Sequence, residues 1–169
     1  NHIYTVRNVG SGIDAIRVAA ADAKIYNNTI YDCGSGTGAG IMVGELNSAD
    51  NVLLKNNIIK NCTSVAPIKV NESTSDNTVI QYNDYNGNGN GNVIINNGTG
   101  TTISNNITAD PLLVNAAAAD FHLQSGSLAI NAGTTLAEVA TDFSGVSRPQ
   151  GSAYDIGAYE FSGTTPTPT

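Results

Sequence analysis

The sequence predicts an all-β fold, a right-handed parallel β-helix (solenoid) of about four turns followed by a C-terminal cap. Three observations carry that prediction. At four places an apolar residue is followed within three positions by an asparagine that can stack: Ile25-Tyr26-Asn27-Asn28, Leu54-Lys55-Asn56-Asn57, Ile80-Gln81-Tyr82-Asn83 and Ile103-Ser104-Asn105-Asn106. The asparagines that end these motifs lie 29, 26 and 23 residues apart, a solenoid spacing too irregular for a coiled coil or a helical repeat of fixed length. An apolar column, Val18, Val43, Val70 and Ile95, steps by 25, 27 and 25 residues and keeps pace with the polar one.

The elements follow in order along the chain. The segments Ile13 to Val18, Gly40 to Val43, Pro67 to Val70 and Val93 to Ile95 are short, rich in β-branched residues and bounded by Gly, Asn, Ser and Asp, which is strand chemistry with turn punctuation. Helical periodicity is absent up to Thr108. Strand segments recur within each unit, so equivalent strands of successive turns should stack in parallel, about 4.8 Å apart. An asparagine in a tight inward turn then bonds the equivalent amide of the next turn, making Asn28, Asn57, Asn83 and Asn106 the expected ladder.

Cys33 and Cys62 each fall five residues after a ladder asparagine, and Val9 would occupy their column one turn earlier. A disulfide needs Cβ atoms about 3.8 Å apart, so a bridge would pinch the rungs; the ordinary alternative is two buried thiols filling an apolar column. With no His near either cysteine, the pair does not suggest zinc.

A chain of 169 residues, 40% of them apolar, fits one domain with a long, thin core. Only 12% of residues are charged and the net charge is −7, with no Lys/Arg cluster to neutralise phosphates, which argues against nucleic acid as a partner. No stretch approaches 18 apolar residues, so membrane insertion is not expected. The strand-like opening Asn1-His2-Ile3 predicts further turns or a partner at that end, since an open solenoid end exposes core and unpaired amides. Residues 163–169, a Thr/Pro-rich stretch, read as a linker to another domain of the same parent chain.

Beyond Asp110 the period is lost. The chain reads Asp110-Pro111-Leu112-Leu113-Val114-Asn115, Asp120-Phe121-His122-Leu123, Ser127-Leu128-Ala129-Ile130-Asn131-Ala132-Gly133, Asp142-Phe143-Ser144-Gly145-Val146-Ser147-Arg148-Pro149 and Tyr154-Asp155-Ile156-Gly157-Ala158-Tyr159-Glu160-Phe161. This order resembles the C-terminal part of secreted right-handed parallel β-helix proteins related to pectate lyases, many of them multidomain surface proteins. The resemblance implies turns over 1–109, a capping segment over 110–162 and a secreted or cell-surface location. It implies architecture more than activity, because such proteins include polysaccharide lyases, glycoside hydrolases and proteins of no known role. In the cap, Phe121, Leu123, Leu128, Ile130, Phe143, Ile156, Tyr159 and Phe161 are expected to cover the open core end. Arg148 is expected to pair with Asp142 or Asp155, and His122 to face solvent.

A lyase of this kind needs a Lys or Arg base near acidic residues that hold calcium, and a hydrolase needs two carboxyl groups about 5 to 9.5 Å apart. Glu45 and Glu72 lie two residues after Val43 and Val70, and Asp50 and Asp76 immediately precede Asn51 and Asn77. Each pair should stack on consecutive turns, forming one acidic corner that would recruit a cation, with calcium the natural cofactor and Asn47, Asn71 and Ser75 as further oxygen ligands. Solvated loops account for the same residue types. Arg17, Met42 and Lys69 precede the three valines and form an outward column, which makes Lys69 the candidate catalytic base. The columns Tyr26, Lys55, Gln81 and Tyr31, Lys60, Asn86 present aromatic and amide groups suited to sugars. The expected function is an extracellular carbohydrate-interacting module of a polysaccharide lyase-like protein, calcium-dependent if it is an enzyme. The alternative is a structural or adhesive module that assembles end to end through Ile3, Val6 and Val9.

Overall fold

The computed structural model describes residues 14–33, 37–44, 48–63, 66–71 and 75–163. Ile3, Val6, Val9, Glu45, Asn47, Glu72 and the 164–169 stretch lie outside the described residues. The first turn contains β1 (Ile16–Val18), β2 (Lys24–Tyr26) and β3 (Thr29–Tyr31); the second contains β4 (Ala39–Val43), β5 (Leu53–Lys55) and β6 (Ile58–Lys60). The third has β7 (Ala66–Val70), β8 (Val79–Gln81) and β9 (Asp84–Asn86), and a partial fourth supplies β10 (Ile95–Asn96) and β11 (Thr102–Ser104). Three complete turns, one fewer than expected, therefore build three parallel sheets, β1-β4-β7-β10, β2-β5-β8-β11 and β3-β6-β9.

Alternation along these short strands sends Ile16, Ile30, Ile41, Leu54, Ile59, Ile68 and Ile80 into one continuous core. The predicted ladder is present. Asn28 Nδ2 donates to Asn57 Oδ1 (2.9 Å), Asn57 Nδ2 to Asn83 Oδ1 (2.9 Å) and Asn83 Nδ2 to Asn106 Oδ1 (3.0 Å). Each acceptor oxygen also takes the backbone N–H of the preceding rung's asparagine. The residue before each ladder asparagine has its own task. Asn27, Asn56, Tyr82 and Asn105 all adopt left-handed backbone (φ 49°, 56°, 56° and 56°), bending the chain between the second and third sheets. Asparagine tolerates that conformation better than most residues, so the Asn-Asn pair splits into one bend and one rung.

The valine column holds for three turns and then slips. Val18, Val43 and Val70 are in register, but Asn96, not Ile95, lies opposite Val70, and Ile95 pairs with Lys69. Ile94 packs against the core instead. Cys33 and Cys62 form a disulfide with Cα atoms 4.4 Å apart, which replaces the expectation of two thiols. The third member of their column is Asn88, whose Oδ1 accepts from Cys62 N (2.9 Å) and whose Nδ2 donates to Ile59 O (2.8 Å).

The C-terminal segment takes a different route from the one expected. Its hairpin, β12 (Leu113–Asn115) with β13 (Asp120–Leu123), and the chain beyond run back along the flank of the coil. Phe121, Leu123, Ala129 and Ile156 pack with Ile58 on the outer face of the third sheet. Asn27 Nδ2 donates to the carbonyls of Asp155 and Gly157 (3.1 Å each), and Asn56 Nδ2 to that of Thr134 (2.8 Å). Val93 and Ile103 on the last rung stay exposed, as do Leu128 and Phe143 of the segment itself. The segment is held together by Arg148, whose partner is the fully buried Glu160 rather than Asp142 or Asp155. Asp142 instead accepts the backbone N–H groups of Ser144, Val146 and Glu160, and Asp155 those of Asn131 and Phe161.

Candidate functional site

The second sheet turns a row of side chains outward. Tyr26, Lys55, Gln81 and Ser104 stand in register across β2, β5, β8 and β11, because strands of one parallel sheet place equivalent residues on the same face. All four are half-buried, and Gln81 Nε2 donates to Ser104 Oγ (2.8 Å). Beside this column runs a second, Lys24, Leu53, Val79 and Thr102. The face thus alternates apolar contact area with amide, hydroxyl and ammonium groups.

The C-terminal segment walls this face at the first turn. Glu138 reaches Lys24, Oε1 to Nζ 2.5 Å, on the exposed surface. That hydrogen bond raises the Lys24 pKa and lowers that of Glu138, while burial, followed by the nearby Glu138 charge, raises the Tyr26 phenol. Between wall and coil lies a groove of about 490 Å³ whose lining includes Lys24, Tyr26, Asn27, Glu138 and Asp142. Sequence spacing placed Tyr26, Lys55 and Gln81 in one column, as the strand register has them, but did not bring Lys24, Ser104 or Glu138 beside them. The first two follow from strand register once strand ends are known; Glu138 is brought in over 114 residues and leaves no local signal.

The second predicted column, Tyr31, Lys60 and Asn86, is also in register across β3, β6 and β9. It is shared with the C-terminal segment. Tyr31 packs on Phe121 (centroids 5.9 Å apart), and Lys60 Nζ bonds Asn86 Oδ1 (3.0 Å) and Asp110 Oδ1 (2.9 Å), holding the Asp110 carboxyl below its usual pKa.

At the corner, Asp50 and Asp76 do neighbour each other on consecutive turns, and one oxygen of each is engaged by the fold: Asp50 Oδ1 accepts Asp76 N (3.0 Å) and Asp76 Oδ1 accepts the Thr99 hydroxyl. Ser75 Oγ likewise accepts Ala49 N (3.2 Å). Among the described residues no group of three or more His, Cys, Asp or Glu could hold a metal ion. Arg17, Met42 and Lys69 are in register, but the column is not uniformly outward: Arg17 pairs with Asp14 (2.9 Å), Met42 is 1% exposed and Lys69 is half-buried. His122 does not simply face solvent; its ring lies 4.0 Å from that of Tyr159 and its Nδ1 meets Asp120 Oδ1 at 2.7 Å.

Stacked parallel turns, an internal asparagine ladder and outward columns in register define this protein as a parallel β-solenoid. The chain belongs to the family described as Domain of unknown function (DUF5123), whose model matches residues 23–134, more than half of the sequence. No curated protein and no solved structure matches it.

Proposed function

We propose that this β-solenoid is an extracellular carbohydrate-interacting module, part of a polysaccharide lyase-like protein. The observation that supports the reading is the column Tyr26, Lys55, Gln81 and Ser104, repeated rung by rung, whose first member, Tyr26, lines a groove at the first turn. A linear polysaccharide is itself a repeat. Its ring faces suit Tyr26, Leu53 and Val79, and its hydroxyls suit Gln81 and Ser104. Lys55 favours an anionic glycan.

Binding of a panel of acidic and neutral polysaccharides to the whole chain tests the proposal. Tyr26→Ala and Lys55→Ala should each weaken binding about tenfold, the effect of losing about 1.4 kcal/mol. Undiminished binding in both variants would move the site elsewhere.

The catalytic part of the proposal is a calcium-dependent β-elimination with Lys69 as base and Glu45, Glu72, Asp50 and Asp76 as cation ligands. The unsaturated product absorbs in the ultraviolet, so pectate and alginate can be assayed with calcium and with chelator. Calcium-dependent product that is lost in Lys69→Ala is the expected result. Binding without product leaves a binding module, and absence of both, with end-to-end assembly, leaves the structural or adhesive reading.

A further inference from the structure

The outer face of the third sheet holds a group that the sugar face does not use. Thr29, Ile58, Asp84 and Ile107 form one column there. The C-terminal segment covers it: Ala158 N donates to Thr29 Oγ1 (3.0 Å), and Ile58 and Ile107 pack with Phe121, Leu123 and Ile156. Asp84 therefore sits between two aliphatic side chains under an apolar lid. It is 1% exposed, and neither carboxyl oxygen has a hydrogen-bond partner. A buried, unpaired carboxylate is among the costliest groups a fold can carry, whereas the neutral acid is tolerated.

The charged groups around it do not supply a partner. Lys60, from β6, already bonds Asn86 and Asp110. Asp110, on the chain leaving β11, repels a second negative charge. On β13, Asp120 and His122 bond each other and alternate with Phe121 and Leu123, the residues that enter the apolar cluster. The neighbouring Tyr85 points into the coil core. Burial, only partly offset by Lys60, accordingly pushes the Asp84 pKa from 3.8 up to about 7.

We propose that Asp84 is a proton-dependent latch: with its carboxyl neutral the C-terminal segment stays seated on the third sheet, and ionisation loosens that seat and uncovers Tyr31, Ile58 and Ile107. The sign follows from linkage. The seated pKa lies above the value of a solvated carboxyl, so the latch contributes fully below the solvated value, weakens as pH rises above it, and is lost once pH passes the seated value of about 7. This device stands independently of the sugar-binding proposal.

Hydrogen exchange of the whole chain, followed by mass spectrometry at pH about 5.5 and about 8.5 and corrected for intrinsic exchange rates, tests it. In the unmodified protein, protection of β13 and residues 154–161 should fall about tenfold relative to β5 and β6 on going to the higher pH. Asp84→Asn keeps the shape without the proton, and Asp84→Ile copies Ile58 and Ile107 in the same column; both should abolish the fall. Constant protection in the unmodified protein, or the same fall in both variants, would overturn the latch, the second outcome pointing to another acid such as Asp155.

Discussion

The asparagine ladder shows how one side chain can be irreplaceable within a rung. Asn57 is fully buried and uses both ends of its amide: Nδ2 donates to Ile25 O and Asn83 Oδ1, and Oδ1 accepts from the backbone N–H and Nδ2 of Asn28. Asn57→Ala strands several of these groups in the core, so it should cost on the order of 3 kcal/mol in urea unfolding. Asn106 is half-buried at the end of the ladder, and Asn106→Ala should cost less, on the order of 1 kcal/mol. The neighbouring column makes the opposite prediction. Tyr82 holds a left-handed conformation at φ 56° where the equivalent positions on the other rungs carry asparagine, and a bulky side chain there costs about 1 kcal/mol. Tyr82→Asn should therefore stabilise the protein by about that amount, read as a higher urea midpoint with an unchanged slope.

At the scale of elements, turns one and two are tied by the disulfide across 29 residues, a loop whose closure is worth about 3.6 kcal/mol. Reduction, or Cys33→Ala with Cys62→Ala, should lower the unfolding free energy by about that much. How much of this was legible in the sequence depends on whether the physics is local. The ladder was, because stacked amides demand the same residue type at every turn. The slip at Ile95 was not: Val93-Ile94-Ile95 has no polar alternation to fix which residue faces inward. Asn88 was hidden in an Asn/Gly run whose composition reads as loop, although its distance from Asn83 matches the cysteine column. Spacing placed the cysteines one rung apart but could not determine their oxidation. The outward column of Tyr26, Lys55 and Gln81 was legible for the same reason as the ladder, while its wall, Glu138, depends on a contact 114 residues distant.

For the whole molecule, the decisive fact is that two packed bodies, coil and C-terminal segment, share the third sheet. A terminal apolar run looks like an end cap in sequence, since nothing local distinguishes covering the last rung from covering a flank; long-range bonds such as Asn56 to Thr134 decide between them. The segment's own integrity rests on Arg148 and Glu160, both fully buried, with Glu160 also accepting the N–H groups of Gln150 and Asp155. Arg148→Met leaves that carboxylate buried without its cation, which typically costs about 3 to 5 kcal/mol. The coil does not depend on the pair, so the loss should be local: amides of residues 154–161 should exchange faster while those of β5 and β6 keep their protection. Arg148→Met and Asp84→Asn thus act on the same seat in opposite directions, the first loosening it from within the segment and the second tightening it from the coil. Combining them should restore part of the lost protection at alkaline pH; no restoration would mean that the segment unfolds as a unit before its seat on the coil matters.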